Sequence, residues 1–197
     1  MALKNKEAFQ TVLVTSPGER EGKTTVVINL AIMLGLVEKP TIIADADFYG
    51  AGIGSVLDIP GDALGLTDLC QGQATVEEAL IHTAISSLRI LPAGTQIDRG
   101  PELTATGAMA GVMTELTERA DFVLFDCTPV VGFGTALSLA GLVDTVFLVA
   151  RARSQVTGVQ RCLDALRDVD AKIGGVIVND VLPSDSVVYR AYHRYYQ

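Results

Sequence analysis

Val12-Leu13-Val14-Thr15-Ser16-Pro17-Gly18-Glu19-Arg20-Glu21-Gly22-Lys23-Thr24-Thr25-Val26-Val27-Ile28-Asn29-Leu30-Ala31-Ile32-Met33-Leu34 is the stretch that decides the fold. An apolar β-branched run leads into a turn-forming loop. The loop ends on Gly22-Lys23-Thr24, and an apolar helical pattern starts at once. Strand, phosphate-binding loop and helix follow one another in that order. Backbone N–H groups of such a loop converge on phosphate oxygens, and the helix N-terminus adds partial positive charge. Gly22 allows close backbone approach. Lys23 can reach the β- and γ-phosphates, and the Thr24 hydroxyl can ligate Mg2+. The full pattern asks for glycine at position 17, where Pro17 stands.

Outward from this loop, apolar runs alternate with helical spacings. Strands are predicted at Thr11–Thr15, Thr41–Ala44, Leu88–Leu91, Phe122–Phe125, Thr145–Val149 and Ile173–Val178. Helices are predicted at Thr24–Gly35, Thr75–His82, Leu103–Arg119, Ala136–Ala140 and Gly158–Val169. Residues 50–65 read as a long loop with one helical turn around Gly54–Leu57. Most strands are continuously apolar, as strands buried on both faces must be. The expected class is α/β, a mainly parallel central sheet flanked by helices on both faces. Ligand should sit at the carboxyl ends of the strands.

Two of those ends carry acids. Asp45 and Asp47 close one apolar strand and Asp126 closes another. Two residues apart in extended chain, Asp45 and Asp47 point to one side. Asp126 is the natural partner of Thr24 on Mg2+. A turn residue or helix cap is the alternative for any one acid, but three beside one Gly-Lys-Thr loop favour a metal site.

Composition narrows the rest. The chain has 197 residues, 49% hydrophobic and 19% charged, enough for one α/β domain with a sizeable core. Net charge is −8, which argues against a nucleic-acid partner. Cys70, Cys127 and Cys162 are widely spaced, and the reading for each is a small buried hydrophobe. No uncharged apolar run reaches the ~18 residues of a spanning helix. Residues 1–7 lack a signal-peptide core.

The motifs together resemble the bacterial tyrosine kinases of capsule and exopolysaccharide export, within the MinD/ParA-like P-loop ATPases. Ser16 and Glu21-Gly22-Lys23-Thr24-Thr25 with Asn29-Leu30-Ala31 resemble the first family motif. Ile42-Ile43-Ala44-Asp45-Ala46-Asp47 resembles the second, and Asp121-Phe122-Val123-Leu124-Phe125-Asp126-Cys127-Thr128-Pro129 the third. Gly65-Leu66-Thr67-Asp68, Pro92-Ala93-Gly94, Pro101-Glu102-Leu103 and Gly175-Val176-Ile177-Val178-Asn179 are further echoes. The resemblance implies ATP and Mg2+ as cofactors. It implies nucleotide contacts from Ser16, Glu21, Gly22, Lys23, Thr24, Thr25 and Asn179, the last against adenine, and metal ligation by Thr24, Asp45 and Asp126. Lys23, Asp45, Asp47 and Asp126 would be the catalytic group. It also implies a homo-oligomer at the inner face of the cell membrane, tethered by a membrane-embedded polysaccharide co-polymerase or a missing N-terminal segment.

The tail adds to the match. Tyr189, Tyr192, Tyr195 and Tyr196, four of the five tyrosines, fall in the last nine residues. Kinases of this family carry a terminal tyrosine cluster phosphorylated between subunits. Residues 1–183 would then be the kinase domain and 184–197 the acceptor tail, with Arg190 and Arg194 giving the tail positive charge. An aromatic tail docked on its own domain or on a membrane is the alternative. The chain departs from the family at Glu19-Arg20, at Phe48-Tyr49-Gly50, at Thr135 and in lacking the Arg-containing N-terminal helix. Two other functions fit the same motifs: a MinD/ParA-like ATPase switch, and a degenerate nucleotide-binding module that regulates polysaccharide export.

Overall fold

The computed structural model describes residues 9–49, 52–95, 100–104, 107–132 and 134–182. In chain order the elements are β1 (Thr11–Thr15), α1 (Lys23–Leu36), β2 (Thr41–Ala46), α2 (Ile53–Val56), α3 (Leu66–Cys70), α4 (Val76–Ala79), β3 (Ile81–His82) and β4 (Leu88–Leu91). Then come α5 (Gly100–Thr104), α6 (Gly107–Thr117), β5 (Phe122–Cys127), α7 (Gly134–Ala140), β6 (Thr145–Arg151), α8 (Val156–Asp168) and β7 (Ile173–Asn179).

The seven strands run β3-β4-β2-β5-β1-β6-β7. Every neighbouring pair is parallel except β3–β4. Period-two alternation divides the apolar strands between two cores. Val12, Val14, Ile43, Leu124 and Val149 pack with Val27 and Ala31 of α1. Leu13, Ile42, Val123, Phe125 and Leu148 pack on the other face with Met109, Leu116, Leu139 and Leu166 of α6, α7 and α8. Burial on both faces explains why these strands carry apolar residues at successive positions. Cys70, Cys127 and Cys162 are buried free thiols, as the sequence reading has them.

Three elements differ from expectation. The helix predicted over Thr75–His82 stops at Ala79. Leu80 turns extended, and Ile81 and His82 pair with Ile90 and Arg89. Non-local pairing overrides helical spacing there. The helix predicted over Leu103–Arg119 is divided into α5 and α6, with glycine, a weak helix former, opening the second. Helix α3 lies where the sequence pattern predicts no helix. All five of its residues are buried, so it shows no amphipathic period. Tyr189, Tyr192, Tyr195 and Tyr196 lie outside the described residues.

Candidate functional site

The parallel register brings the charged residues to one edge. Asp126 is in register with Val14 of β1, and Asp45 is in register with Asp126. Both acids follow a residue of the α1-side core by two positions, Ile43 and Leu124, so they face α1. The loop between β1 and α1 crosses the same edge.

That loop is held from three sides. The Ser16 backbone carbonyl accepts from Val130 N–H at 2.9 Å, and the Ser16 hydroxyl donates to the Gly18 carbonyl at 2.6 Å. The Glu21 carboxylate accepts from Arg151 N–H at 2.6 Å and from the Ser154 hydroxyl at 2.7 Å. The Glu21 carbonyl accepts from the Asn179 side-chain amide at 3.0 Å. Gly22 then turns into α1 at φ 92°. No side chain caps that helix start, and its first turn carries no acid. The first N–H groups of α1 therefore stay available to an anion.

A Cβ on Gly22 would stand 2.1 Å from Asn179 Nδ2. Gly22→Ala should accordingly lose about 1–3 kcal/mol of stability from left-handed strain and the displaced amide. Urea unfolding measures this. A loss below about 0.5 kcal/mol would show that the loop yields without cost.

The side chains that converge here are Lys23, Asp45, Asp47 and Asp126. Lys23 Nζ lies 3.2 Å from Asp47 Oδ2, with both side chains largely buried. Asp45 accepts from Asp47 N–H at 3.0 Å and from Gly54 N–H at 3.2 Å. It thereby ties the chain after β2 to the first turn of α2. Burial pushes the Asp45 carboxyl up to about 6, against the pull of those backbone donors. Burial pushes Asp126 up to about 7, with Thr24 and Lys23 pulling down and Asp45 and Asp47 pushing up.

Neither oxygen of Asp126 meets hydrogen-bond geometry with any partner among the described residues. A buried carboxylate left open on both oxygens beside a threonine hydroxyl is a donor set that fits a hard divalent cation. Asp45, in register with Asp126, gives its carboxylate to backbone N–H groups, and among the described residues no three acids are grouped to hold a metal ion, so the expected cluster of Asp45, Asp47 and Asp126 does not form. Asn179 sits at the expected edge, yet its amide grips the loop backbone. Ser154 and Arg151 brace Glu21 and were not singled out in the sequence. They lie about 130 residues away, with no local pattern to mark them.

The fold is of the mainly parallel, MinD-like P-loop kind, with the strand–loop–helix turn at the carboxyl edge of the sheet. A family model described as an AAA domain (AAA_31) matches residues 20–180, and the chain belongs to that family. It is 26% identical over 189 residues to the putative tyrosine-protein kinase CapB of Staphylococcus aureus, covering 95% of this chain and 81% of CapB. It is 24% identical over 176 residues to the tyrosine-protein kinase Ptk of Acinetobacter johnsonii. There the match covers 89% of this chain but 24% of Ptk, so the chain spans about a quarter of that relative. The crystal structure of the VpsO kinase domain superimposes with a TM-score of 0.83 at 29% identity, covering 88% of this chain and 86% of that one. MinD of Pyrococcus horikoshii, solved with Mg-ADP, shares the fold at a TM-score of 0.72 and 23% identity, covering 86% and 69%.

Proposed function

We propose that this chain is an ATP-dependent protein tyrosine autokinase that regulates capsular or exopolysaccharide synthesis and export. The observation that carries the reading is the gathering of Lys23, Asp47 and the buried Asp126 at the open start of α1. The relatives named as tyrosine-protein kinases support it. Backbone N–H groups from Gly22 to Thr25 hold the phosphates, with Ser16 and Glu21 keeping the loop in shape. Thr24 and Asp126 would hold Mg2+, with Asp45 beside them. Bound there, the ion offsets charge on the β- and γ-phosphate oxygens. In this reading Asn179, whose amide holds the Glu21 carbonyl, also contacts the adenine.

Lys23 moves from Asp47 to the γ-phosphate, where it stabilises the transferring group. That exchange leaves Asp47 able to accept the proton of a tyrosine hydroxyl. The phenolic oxygen bonds to the γ-phosphorus, the bond to the β–γ bridging oxygen breaks, and ADP leaves. The acceptors are Tyr189, Tyr192, Tyr195 and Tyr196, on residues 184–197. Among the described residues no helix is long and apolar enough to cross a membrane. The proposed location is the inner face of the cell membrane, through a membrane-embedded polysaccharide co-polymerase. Ptk, some four times longer than its matching region, shows that such a domain can sit within a larger chain.

The test mixes full-length Lys23→Met with active protein lacking everything after Ser186. Phosphate on the Lys23→Met tail is the expected result, and it establishes transfer between subunits of a homo-oligomer. No label there or on the parent alone, with ATP still hydrolysed, would leave the ATPase switch. No turnover at all would leave the regulatory module.

A further inference from the structure

Two segments outside the phosphate loop, Gly65–Asp68 and Pro92–Thr95, lock onto each other. Leu66 N–H donates to the Pro92 carbonyl at 2.8 Å and Thr67 N–H to the Ala93 carbonyl at 2.9 Å. The Thr67 hydroxyl donates to the Thr95 carbonyl at 2.9 Å. Asp68, 2% exposed, is the centre of the mesh. Its carboxylate accepts from Gly65 N–H at 2.9 Å, from Thr95 N–H at 3.2 Å and from the Thr95 hydroxyl at 2.7 Å. A Cβ on Gly65 would stand 2.2 Å from the Pro92 carbonyl oxygen, and one on Gly94, at φ 86°, would stand 2.4 Å from Asp68 Oδ2. A side chain at Gly65 would strike the Pro92 backbone, and one at Gly94 would strike the Asp68 and Thr67 side chains, so both positions need glycine.

Pro92–Thr95 is one wall of a cavity of about 160 Å³ at the carboxyl end of β2. Asp45 and Asp47 line it, and Ile59 and Pro60, on the loop after α2, form another part of its lining. That loop hangs from α2, whose first turn is tied to Asp45. The cavity thus sets apolar lining from Ile59, Pro60 and Pro92 beside the carboxylates of Asp45 and Asp47. A phenol matches this pattern, with ring against Ile59, Pro60 and Pro92 and hydroxyl toward Asp47. A tail bearing Arg190 and Arg194 matches the charge.

We infer that the Asp68–Thr95 mesh sets the wall against which the tyrosine-bearing tail docks, and that Asp68 is a positioning residue for the phosphate acceptor. The inference rests on the tyrosine-acceptor reading, but it concerns docking and not transfer.

The experiment uses a labelled peptide of residues 186–197, the full chain and a non-hydrolysable ATP analogue, with binding read by fluorescence anisotropy. Thr95→Val keeps the shape and removes the hydroxyl donated to Asp68, and Thr95→Ser restores it. Thr95→Val should weaken peptide binding about tenfold, the worth of one charge-assisted hydrogen bond. Thr95→Ser should stay within about twofold of the parent, and all should bind the ATP analogue equally. In steady-state transfer, the peptide KM rises in Thr95→Val and kcat stays. Asp68→Asn should follow Thr95→Val. A parent that binds the peptide but passes it no phosphate, with Thr95→Val still weaker, sinks the kinase reading and supports the wall. Thr95→Val that binds like the parent, a joint loss of ATP analogue and peptide, or a parent that binds no peptide would each overturn the inference.

Discussion

Lys23→Met is expected to weaken Mg-ATP binding by about a hundredfold and to reduce phosphate transfer at least a thousandfold. Lys23 pairs with Asp47 and lies close enough to Asp126 to pull its carboxyl down. In the nucleotide-free chain most of both side chains of the Lys23–Asp47 pair is out of water. Methionine fills similar volume and removes the charge. Asp47 then loses its partner, and a triphosphate must approach an acidic edge with no ammonium to offset it. The binding loss combines a missing charge-assisted hydrogen bond with this repulsion. The transfer loss is larger because the transition state spreads more charge onto the γ-phosphate oxygens than the ground state does.

Calorimetry and single-turnover transfer read the two effects separately. Lys23→Arg tests the mechanism further. Its guanidinium keeps the charge but is wider and planar, so binding should recover more than transfer does. A Lys23→Met chain that binds Mg-ATP within about threefold of the parent would remove Lys23 from the nucleotide site.

Much of this site is legible in the chain because its parts are local. The strand–loop–helix order around Gly22 needs only adjacent residues, and the acids at the ends of β2 and β5 are marked by the apolar runs before them. Packing on both sheet faces supplies what such runs imply, since Ile42 and Ile43 belong to opposite cores. Contacts made across long separations are not legible. Nothing near Asn179 says that its amide will brace the Glu21 carbonyl across 158 positions. Nothing near Asp68 says that Thr95 will close on it. The strand pair Ile81–Ile90 breaks a helical spacing for the same reason. Local pattern places the charged groups, and the sheet register then decides which of them meet.

Asp126→Asn should make the nucleotide-free chain more stable at pH 8 while abolishing the part of ATP affinity that depends on Mg2+. Burial raises the Asp126 carboxyl from 3.8 to about 7 in the folded chain. Between those values the folded state holds a proton that the unfolded state has released. Stability from this group is therefore fully present below about pH 4, falls as pH rises, and is gone above about pH 7. Asp45, raised to about 6, works in the same direction. The buried anion at pH 8 costs on the order of 4 kcal/mol by this linkage. An asparagine never ionises, but its unpaired amide takes back about 1–3 kcal/mol. The net gain is about 2 kcal/mol, a rise in Tm of roughly 5 °C for a chain this size. The gain should vanish at pH 4, where the parent carries a neutral Asp126 as well. A divalent cation reverses the balance, since it turns the costly anion into a ligand. Mg-ATP should thus raise the parent's Tm more at pH 8 than at pH 6, and raise that of Asp126→Asn little at either. Melting curves at pH 4, 6 and 8, with and without Mg-ATP, decide it. A parent whose stability is flat across this range, or an Asp126→Asn chain that keeps the full metal response, would take Asp126 out of the metal site. With both expectations met, the instability at neutral pH marks a binding residue kept for its charge at the expense of the fold.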